Sequence, residues 1–224
     1  VRYSIANLMA GNGVLLKHAS NVAGSGQMLD EIYADAGPAA GRDIAAKAGR
    51  VLKKTVLELG SNDAYIVMAD ADVEKAAQIC ATGRTYNNGE TCVAAKRFVV
   101  SDAVYDDFRE AFVKAMKAVT YGDPTSKDAK IGPMARKDLR DDLHKQVEQS
   151  VAKGAEILCG GEMPDGDGYF YPATVLANVQ PGQPAYDDEL FGPVAALIRA
   201  NDDEDAMRIA NDSKFGLGGG IISR

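Results

Sequence analysis

Short apolar runs alternate with amphipathic helical stretches along most of this chain, and that alternation is its strongest constraint on fold. Val14-Leu15-Leu16, Arg97-Phe98-Val99-Val100, Ala155 to Leu158, Tyr171 to Leu176, Val194 to Ile198 and Gly220-Ile221-Ile222 read as strands. Between them Ala23 to Ala36, Ala39 to Gly49, Val73 to Thr82, Ala103 to Val119, Lys137 to Lys153 and Asp203 to Asn211 read as helices. The clearest periodicity is Val104, Phe108, Phe112 and Met116, one side of a helix that Gly122-Asp123-Pro124 ends. Asp70 or Asp72 suits the N-cap of the helix at Val73, and Gly154 stops the charged helix before it. Strands that return through helices pair in parallel, so the pattern predicts an α/β fold with a largely parallel sheet.

One stretch departs from the alternation. Val51 to Leu59 reads as a further strand, but two helices in succession stand before it, joined at Gly37-Pro38. A wound parallel sheet returns to a strand after each crossover helix. Either a helical hairpin is inserted here or a strand is missing near residues 37–38.

Length and charge narrow the function. The 224 residues hold one large domain or parts of two, and 46% hydrophobic residues can fill a substantial core. A net charge of −7 argues against a nucleic-acid partner, which demands clustered Lys and Arg. No apolar run approaches the roughly 20 residues that span a bilayer, so no membrane partner is expected. Cys80, Cys92 and Cys159 are odd in number and widely spaced, and read as free thiols of a reducing, cytoplasmic compartment. His18 and His144 are isolated, so no metal site is expected.

Cys92 carries the most chemical promise. It follows the polar turn Tyr86-Asn87-Asn88-Gly89-Glu90-Thr91 and precedes the strand at Arg97, where a thiol can face a cleft. Asn87, Asn88 and Thr91 offer hydrogen bonds to a thiolate or an oxyanion. A lone cysteine is more often a buried structural residue, so on the residues alone both readings stand. Glu58 ends the apolar run Val51 to Leu59, a position that opens into clefts of α/β sheets, and could serve as a base. A strand-edge ion pair to Lys53 or Lys54 is an equal reading. Lys17, at the end of a short strand, could meet a cofactor's ribose or phosphate, or simply be solvated. Gly216-Leu217-Gly218-Gly219-Gly220 lacks the GxGxxG spacing and reads as a turn.

Taken together, these segments resemble the aldehyde dehydrogenase superfamily. The resemblance lies in Leu57-Glu58-Leu59-Gly60, in Asn87-Asn88-Gly89-Glu90-Thr91-Cys92, in Glu189-Leu190-Phe191-Gly192-Pro193, in Asn211 with Phe215-Gly216-Leu217, and in Gly11-Asn12 with Lys17. Leu16-Lys17-His18-Ala19, Ala94-Ala95-Lys96-Arg97-Phe98 and Gly132-Pro133-Met134-Ala135-Arg136 look like bacterial succinate-semialdehyde dehydrogenases. The resemblance implies part of a Rossmann-type cofactor domain over residues 1–58 and a parallel-sheet α/β catalytic domain over 59–224. It implies Cys92 as nucleophile and Glu58 as the base that releases the acid. Lys17, Ser20, Leu59, Glu189 and Phe191 would line the cofactor. Arg2 would hold a substrate carboxylate, and Tyr86 stands where another branch has a second arginine. Ser20 stands where NAD-preferring relatives place a glutamate, so the cofactor is NAD or NADP.

The resemblance further implies a small aldehyde as substrate, succinate semialdehyde or another aliphatic one, and a homodimer or homotetramer. Glu90 replaces the usual glutamine, Ser61 a glycine and Ala64 a proline. The family's oxyanion asparagine has no counterpart in the chain. The chain corresponds to the middle of a protein about twice as long, with a few tens of residues absent near Gly37-Pro38 and the closing segment absent after residue 224. Two other classes share some features: a cofactor-free cysteine esterase or acyl-transfer enzyme, and a non-catalytic fragment.

Overall fold

A computed structural model describes residues 38–224. It divides into two compact units, one ending at Leu59 and one running from Gly60 to Arg224. The strand at Val14-Leu15-Leu16 and the helix at Ala23 to Ala36 lie outside the described residues.

In the first unit, α1 (Pro38–Arg50) begins on a proline, whose fixed φ suits a first helical position. It ends with Lys47 and Arg50 in the last turn, where cations oppose the negative end of the helix. The expected strand Val51 to Leu59 is not formed. Val51 and Lys53 turn their N–H groups back onto the Ala48 carbonyl at 3.2 and 2.9 Å, and the remainder has no ladder partner among the described residues. Alternating apolar residues become a strand only where a neighbour takes their backbone groups. Here Val51 is 63% and Leu52 93% exposed, so no face of the segment is buried as a strand's would be.

The second unit carries β1 (Ala64–Val67), α2 (Val73–Thr85), β2 (Arg97–Ser101), α3 (Tyr105–Lys117), α4 (Lys137–Ala152), β3 (Glu156–Cys159), β4 (Thr174–Ala177), α5 (Pro184–Asp187), β5 (Val194–Ala200), α6 (Asp203–Asn211) and β6 (Gly219–Ile222). The sheet order is β3-β4-β5-β2-β1-β6. Every neighbouring pair is parallel except β3 and β4, which are antiparallel with a register shift between Ile157 and Cys159. β1 was not anticipated from the sequence. Its four residues follow the polar Asn62-Asp63, and burial between β2 and β6 rather than length makes them a strand. The N-cap of α2 is Asp72, whose carboxylate takes the Lys75 N–H at 3.2 Å.

Side-chain alternation splits the sheet into two cores. Val67, Phe98, Val100, Ala195 and Leu197 face α2 and α3, where Phe112 lies 4.8 Å from Phe98 and 5.3 Å from Phe108 by ring centroids. Ile66, Val99, Ala196 and Ile198 face the other way, toward Leu143 and Val147 of α4, Tyr186 of α5 and Ile209 of α6. β2 is buried along its whole length, as a central strand covered on both faces should be.

This topology sets out a functional edge. Registers run Ala64 opposite Arg97, Arg97 opposite Ala196 and Ala64 opposite Gly219. The segments leading into β5, β2, β1 and β6 therefore lie side by side at the amino ends of four adjacent parallel strands. Those segments are Glu189 to Pro193, Cys92 to Lys96, Gly60 to Asp63 and Phe215 to Gly218.

Candidate active site

The turn before Cys92 is shaped by backbone conformation. Asn87, Asn88 and Gly89 all have positive φ, at 51°, 58° and 73°. Asparagine and glycine tolerate that region better than other residues, which accounts for the Asn-Asn-Gly sequence. The expectation that these asparagines would serve a thiolate or oxyanion is corrected here. Asn87 Nδ2 donates to the Glu90 carbonyl at 3.1 Å. Asn88 Nδ2 donates to the Pro133 carbonyl at 2.9 Å, and its Oδ1 accepts the Gly132 N–H at 2.9 Å. Their amides tie the loop to itself and to residues 132–133.

Two charged side chains brace the turn from inside. The Glu90 carboxylate accepts the Ala135 N–H at 3.0 and 3.2 Å. Burial pushes its pKa up, while the Ala135 N–H opposes that shift. Arg84 is fully buried and donates through Nη2 to the Gly89 carbonyl at 2.8 Å, while its Nε and Nη1 have no hydrogen-bond partner among the described residues. Burial pulls its pKa down to about 9, with the Glu189 carboxylate opposing, so it remains a cation at neutral pH. Sequence reasoning had not singled out Arg84.

Lys96 binds these parts together. Its ammonium, 1% exposed, lies 2.9 Å from Ser61 Oγ, 3.0 Å from the Cys92 and Ala94 carbonyls, and 3.3 Å from the Thr91 carbonyl. It forms an ion pair with Glu189 Oε1 at 3.2 Å. The Ser61 hydroxyl donates to the Cys92 carbonyl, and the Ser61 N–H donates to Glu189 Oε1 at 3.1 Å. A buried ammonium is tolerable only with such a shell of oxygens and a counter-charge. Burial and the neighbouring Arg84 lower the Lys96 pKa, and Glu189 opposes them. The sequence flagged Lys96 and Ser61 as parts of motifs without a role. The signal that could have been read is a lysine enclosed by Ala94, Ala95 and Phe98 at the start of a wholly buried strand.

A second buried cation anchors the same edge. Arg97 donates to the Asn62 carbonyl at 3.1 Å, and to the Ile209 and Ala210 carbonyls at the end of α6 at 2.7 and 2.9 Å. The Ile209 carbonyl also takes the Asp212 N–H at 3.2 Å, and the guanidinium adds a charged donor at this helix end. The Asp63 carbonyl takes the Lys96 and Arg97 N–H groups at 3.0 and 3.1 Å, while its carboxylate takes the Gly218 N–H at 3.0 Å. Ser61, Asn62 and Asp63 thus fasten the start of β1 to those of β2 and β6.

The anticipated residues fall as follows. Cys92 is partly exposed, whereas Cys80 and Cys159 are buried, and all three thiols are free. Cys92 and Glu189 are brought together through Lys96. Phe191 is partly buried two residues beyond Glu189, and Tyr86 is 67% exposed at the end of α2. Glu58 is exposed and Leu59 packs over Gly41, where an added Cβ would meet Leu59 Cδ1 at 2.6 Å. Glu58 does not end a strand, because that strand is not formed. Arg2, Lys17 and Ser20 lie outside the described residues. The grooves that run beside β6, of about 360 and 620 Å3, do not include Cys92.

The donor set fits a nicotinamide cofactor at Glu189. Among the described residues both of its carboxylate contacts fall on Oε1, and the side chain is 19% exposed, which leaves Oε2 to accept from a ribose hydroxyl. Glycine at position 60 leaves room for this carboxylate, because a Cβ there would strike Glu189 Oε2.

Comparison with known proteins gives this arrangement a context. The sequence profile of the aldehyde dehydrogenase family matches residues 36–224. A succinate semialdehyde dehydrogenase [NAD(P)+] of Escherichia coli (strain K12) is 43% identical over 256 residues, covering 100% of this chain and 55% of the relative. A succinate-semialdehyde dehydrogenase [NADP(+)] of Mycobacterium avium (strain 104) is 41% identical, covering 97% of this chain and 53% of its own length. Among solved structures, lactaldehyde dehydrogenase from Escherichia coli matches with a TM-score of 0.80 and 34% identity, over 84% of this chain and 40% of that one. Mycobacterium tuberculosis aldehyde dehydrogenase complexed with NAD+ matches with a TM-score of 0.79 and 33% identity, over 84% and 39%. The chain spans about half the length of the curated relatives it matches.

Proposed function

The chain belongs to the aldehyde dehydrogenase family, and on that premise we propose that the protein oxidises a small aldehyde to its acid through a covalent bond to Cys92. Succinate semialdehyde is the favoured substrate, supported by the relatives that are 40–43% identical. NAD or NADP is the cofactor on the same footing. The observation that carries the reading is a free, partly exposed thiol whose loop is tied through Lys96 and Ser61 to the carboxylate of Glu189.

The Cys92 sulfur attacks the aldehyde carbon and forms a thiohemiacetal. The backbone N–H of Cys92 receives the developing oxyanion, and one such donor contributes about 3–4 kcal/mol in comparable sites. NAD or NADP, when bound, would supply the acceptor for the hydride that leaves the aldehyde carbon. Glu189 would hold its ribose, with Phe191 in the same loop, and Leu59, Lys17 and Ser20 would serve the cofactor as further contacts. A thioester remains on Cys92, and Glu58 activates the water that releases the acid. Arg2 and Tyr86 are proposed to meet the far end of the substrate. A homodimeric or homotetrameric assembly and a cytoplasmic setting belong to the same proposal, the latter supported by the three free thiols.

The test compares intact wild-type protein with Cys92→Ala, following reduced nicotinamide as succinate semialdehyde is added. Aldehyde-dependent reduction by the wild type alone, with cofactor binding retained in the variant, is expected. Undiminished turnover in Cys92→Ala, or hydrolysis of activated esters without any cofactor reduction, would remove this reading.

A further inference from the structure

The reaction as written needs the Cys92 N–H aimed at the substrate oxygen, and locally only the turn closed by the Ala94 N–H on the Thr91 carbonyl, rather than a helix or strand, fixes that direction. The Cys92 N–H has no acceptor among the described residues, so it is unspent. It shares a planar trans peptide with the Thr91 carbonyl, which points the opposite way. Holding that carbonyl therefore sets the direction of the N–H. Two groups hold it, the Ala94 N–H at 3.2 Å and the Lys96 ammonium at 3.3 Å, and of these only Lys96 also grips the next carbonyl, that of Cys92, directly at 3.0 Å and again through the Ser61 hydroxyl.

We propose that Lys96 is a positioning residue: through the Thr91 and Cys92 carbonyls it aims the Cys92 N–H at the substrate oxyanion, and through Glu189 it ties that donor to the cofactor site. This rests on the reading of Cys92 as the nucleophile of an aldehyde oxidation. Lys96 touches neither reacting atom. Its charge acts along the peptide. A cation on the Thr91 oxygen polarises the same amide and makes its N–H a stronger donor. The buried Arg84 on the Gly89 carbonyl adds a second positive charge beneath the loop. The ammonium is shared with Glu189 Oε1, so a ribose hydroxyl drawing on Oε2 leaves the tie to Lys96 in place.

A merely structural lysine and a positioning lysine differ in what they do to chemistry that needs no oxyanion donor. Alkylation of Cys92 by iodoacetamide requires an exposed thiol and nothing from its N–H. In the intact protein, Lys96→Met is expected to lower kcat for succinate semialdehyde about a hundredfold, the scale of losing one oxyanion donor. KM for the aldehyde and the Cys92 alkylation rate should stay within about threefold, and the Kd for NAD+ or NADP+ should rise several-fold. If Lys96→Met does not fold, Lys96→Gln keeps a neutral donor and most of the volume, and the same readouts decide. The inference is overturned if kcat stays within about threefold of wild type, or if kcat and alkylation fall by a common factor. Wild-type protein that shows no Cys92-dependent aldehyde oxidation removes the underlying reading instead, and the inference with it.

Discussion

Gly89 is where a single methyl group should do the most damage to the site. Its φ of +73° lies in the left-handed region, which costs an alanine about 1–2 kcal/mol. There is also no room for the methyl. A Cβ on Gly89 would stand 2.6 Å from the Gly192 carbonyl carbon, closer still to its oxygen, and 2.7 Å from Arg84 Nη2, where real Cβ atoms essentially never approach within 3.0 Å. Two of those neighbours are backbone, and the third is a buried guanidinium bonded to Gly89 itself. Over-packing of this kind costs about 1–3 kcal/mol. Gly89→Ala should therefore lose about 2–5 kcal/mol, with a fall in Tm of roughly 2–4 °C per kcal/mol for a chain of this size. The relief comes from separating the Cys92 loop from the Glu189–Pro193 loop, the two elements that must stay in register. A displacement approaching 1 Å in such a site costs about a hundredfold in rate. The assay is a thermal melt alongside kcat/KM for succinate semialdehyde in the intact protein. Wild-type Tm and rate in Gly89→Ala would refute the packing argument. A lowered Tm with wild-type kcat/KM would refute the link between loop register and chemistry.

Two further outcomes are expected. Iodoacetamide at neutral pH should label native protein at Cys92 alone, because burial pushes the Cys80 thiol up to about 12 and raises Cys159 as well; mass mapping that finds Cys80 labelled at a comparable rate would contradict the buried assignment. The second concerns Glu90, whose pKa burial raises above its ordinary 4.5, so the folded state holds a proton that the unfolded chain has released. Its stabilising effect is full below about 4.5 and is lost as pH rises through the folded value. Glu90→Gln should thus melt higher than wild type at neutral pH, with the difference shrinking toward acid; a difference that ignores pH, or reverses it, would refute this.

The alternation of apolar runs with helices was enough to establish a parallel α/β sheet, because central strands such as Phe98-Val99-Val100 and Val194 to Ile198 are uniformly apolar and helices such as that at Val73 announce their caps. Partnership was not legible. Val51 to Leu59 has a strand's pattern but no neighbour among the described residues, while Ala64–Val67 has a short, ordinary sequence and two neighbours. The direction of β3 relative to β4 was hidden for the same reason, since pairing is a property of two segments. Of the candidate site, Cys92 and Glu189 could be found by motif. Asn87 and Asn88 were misread because their residue type suits an anion as well as it suits a positive φ, and only the backbone decides between the two. Lys96, Ser61 and Arg84 do their work through carbonyls and carboxylates far along the chain, and no local pattern records such partners.

The amino-end edge of the sheet has a consequence for how this protein comes into being. The contacts that hold the candidate site join residues 128 positions apart for Ser61 and Glu189, 124 for Asn62 and Tyr186, and 155 for Asp63 and Gly218. Contacts of such long sequence separation form late and slowly, because the loop closure they require comes before any reward. The Cys92 loop therefore has no template until β5, β2, β1 and β6 have all docked. During refolding, recovery of a competent site should trail the recovery of helical signal, and a nascent chain still short of Gly218 can present the Cys92 thiol but not the edge that directs it.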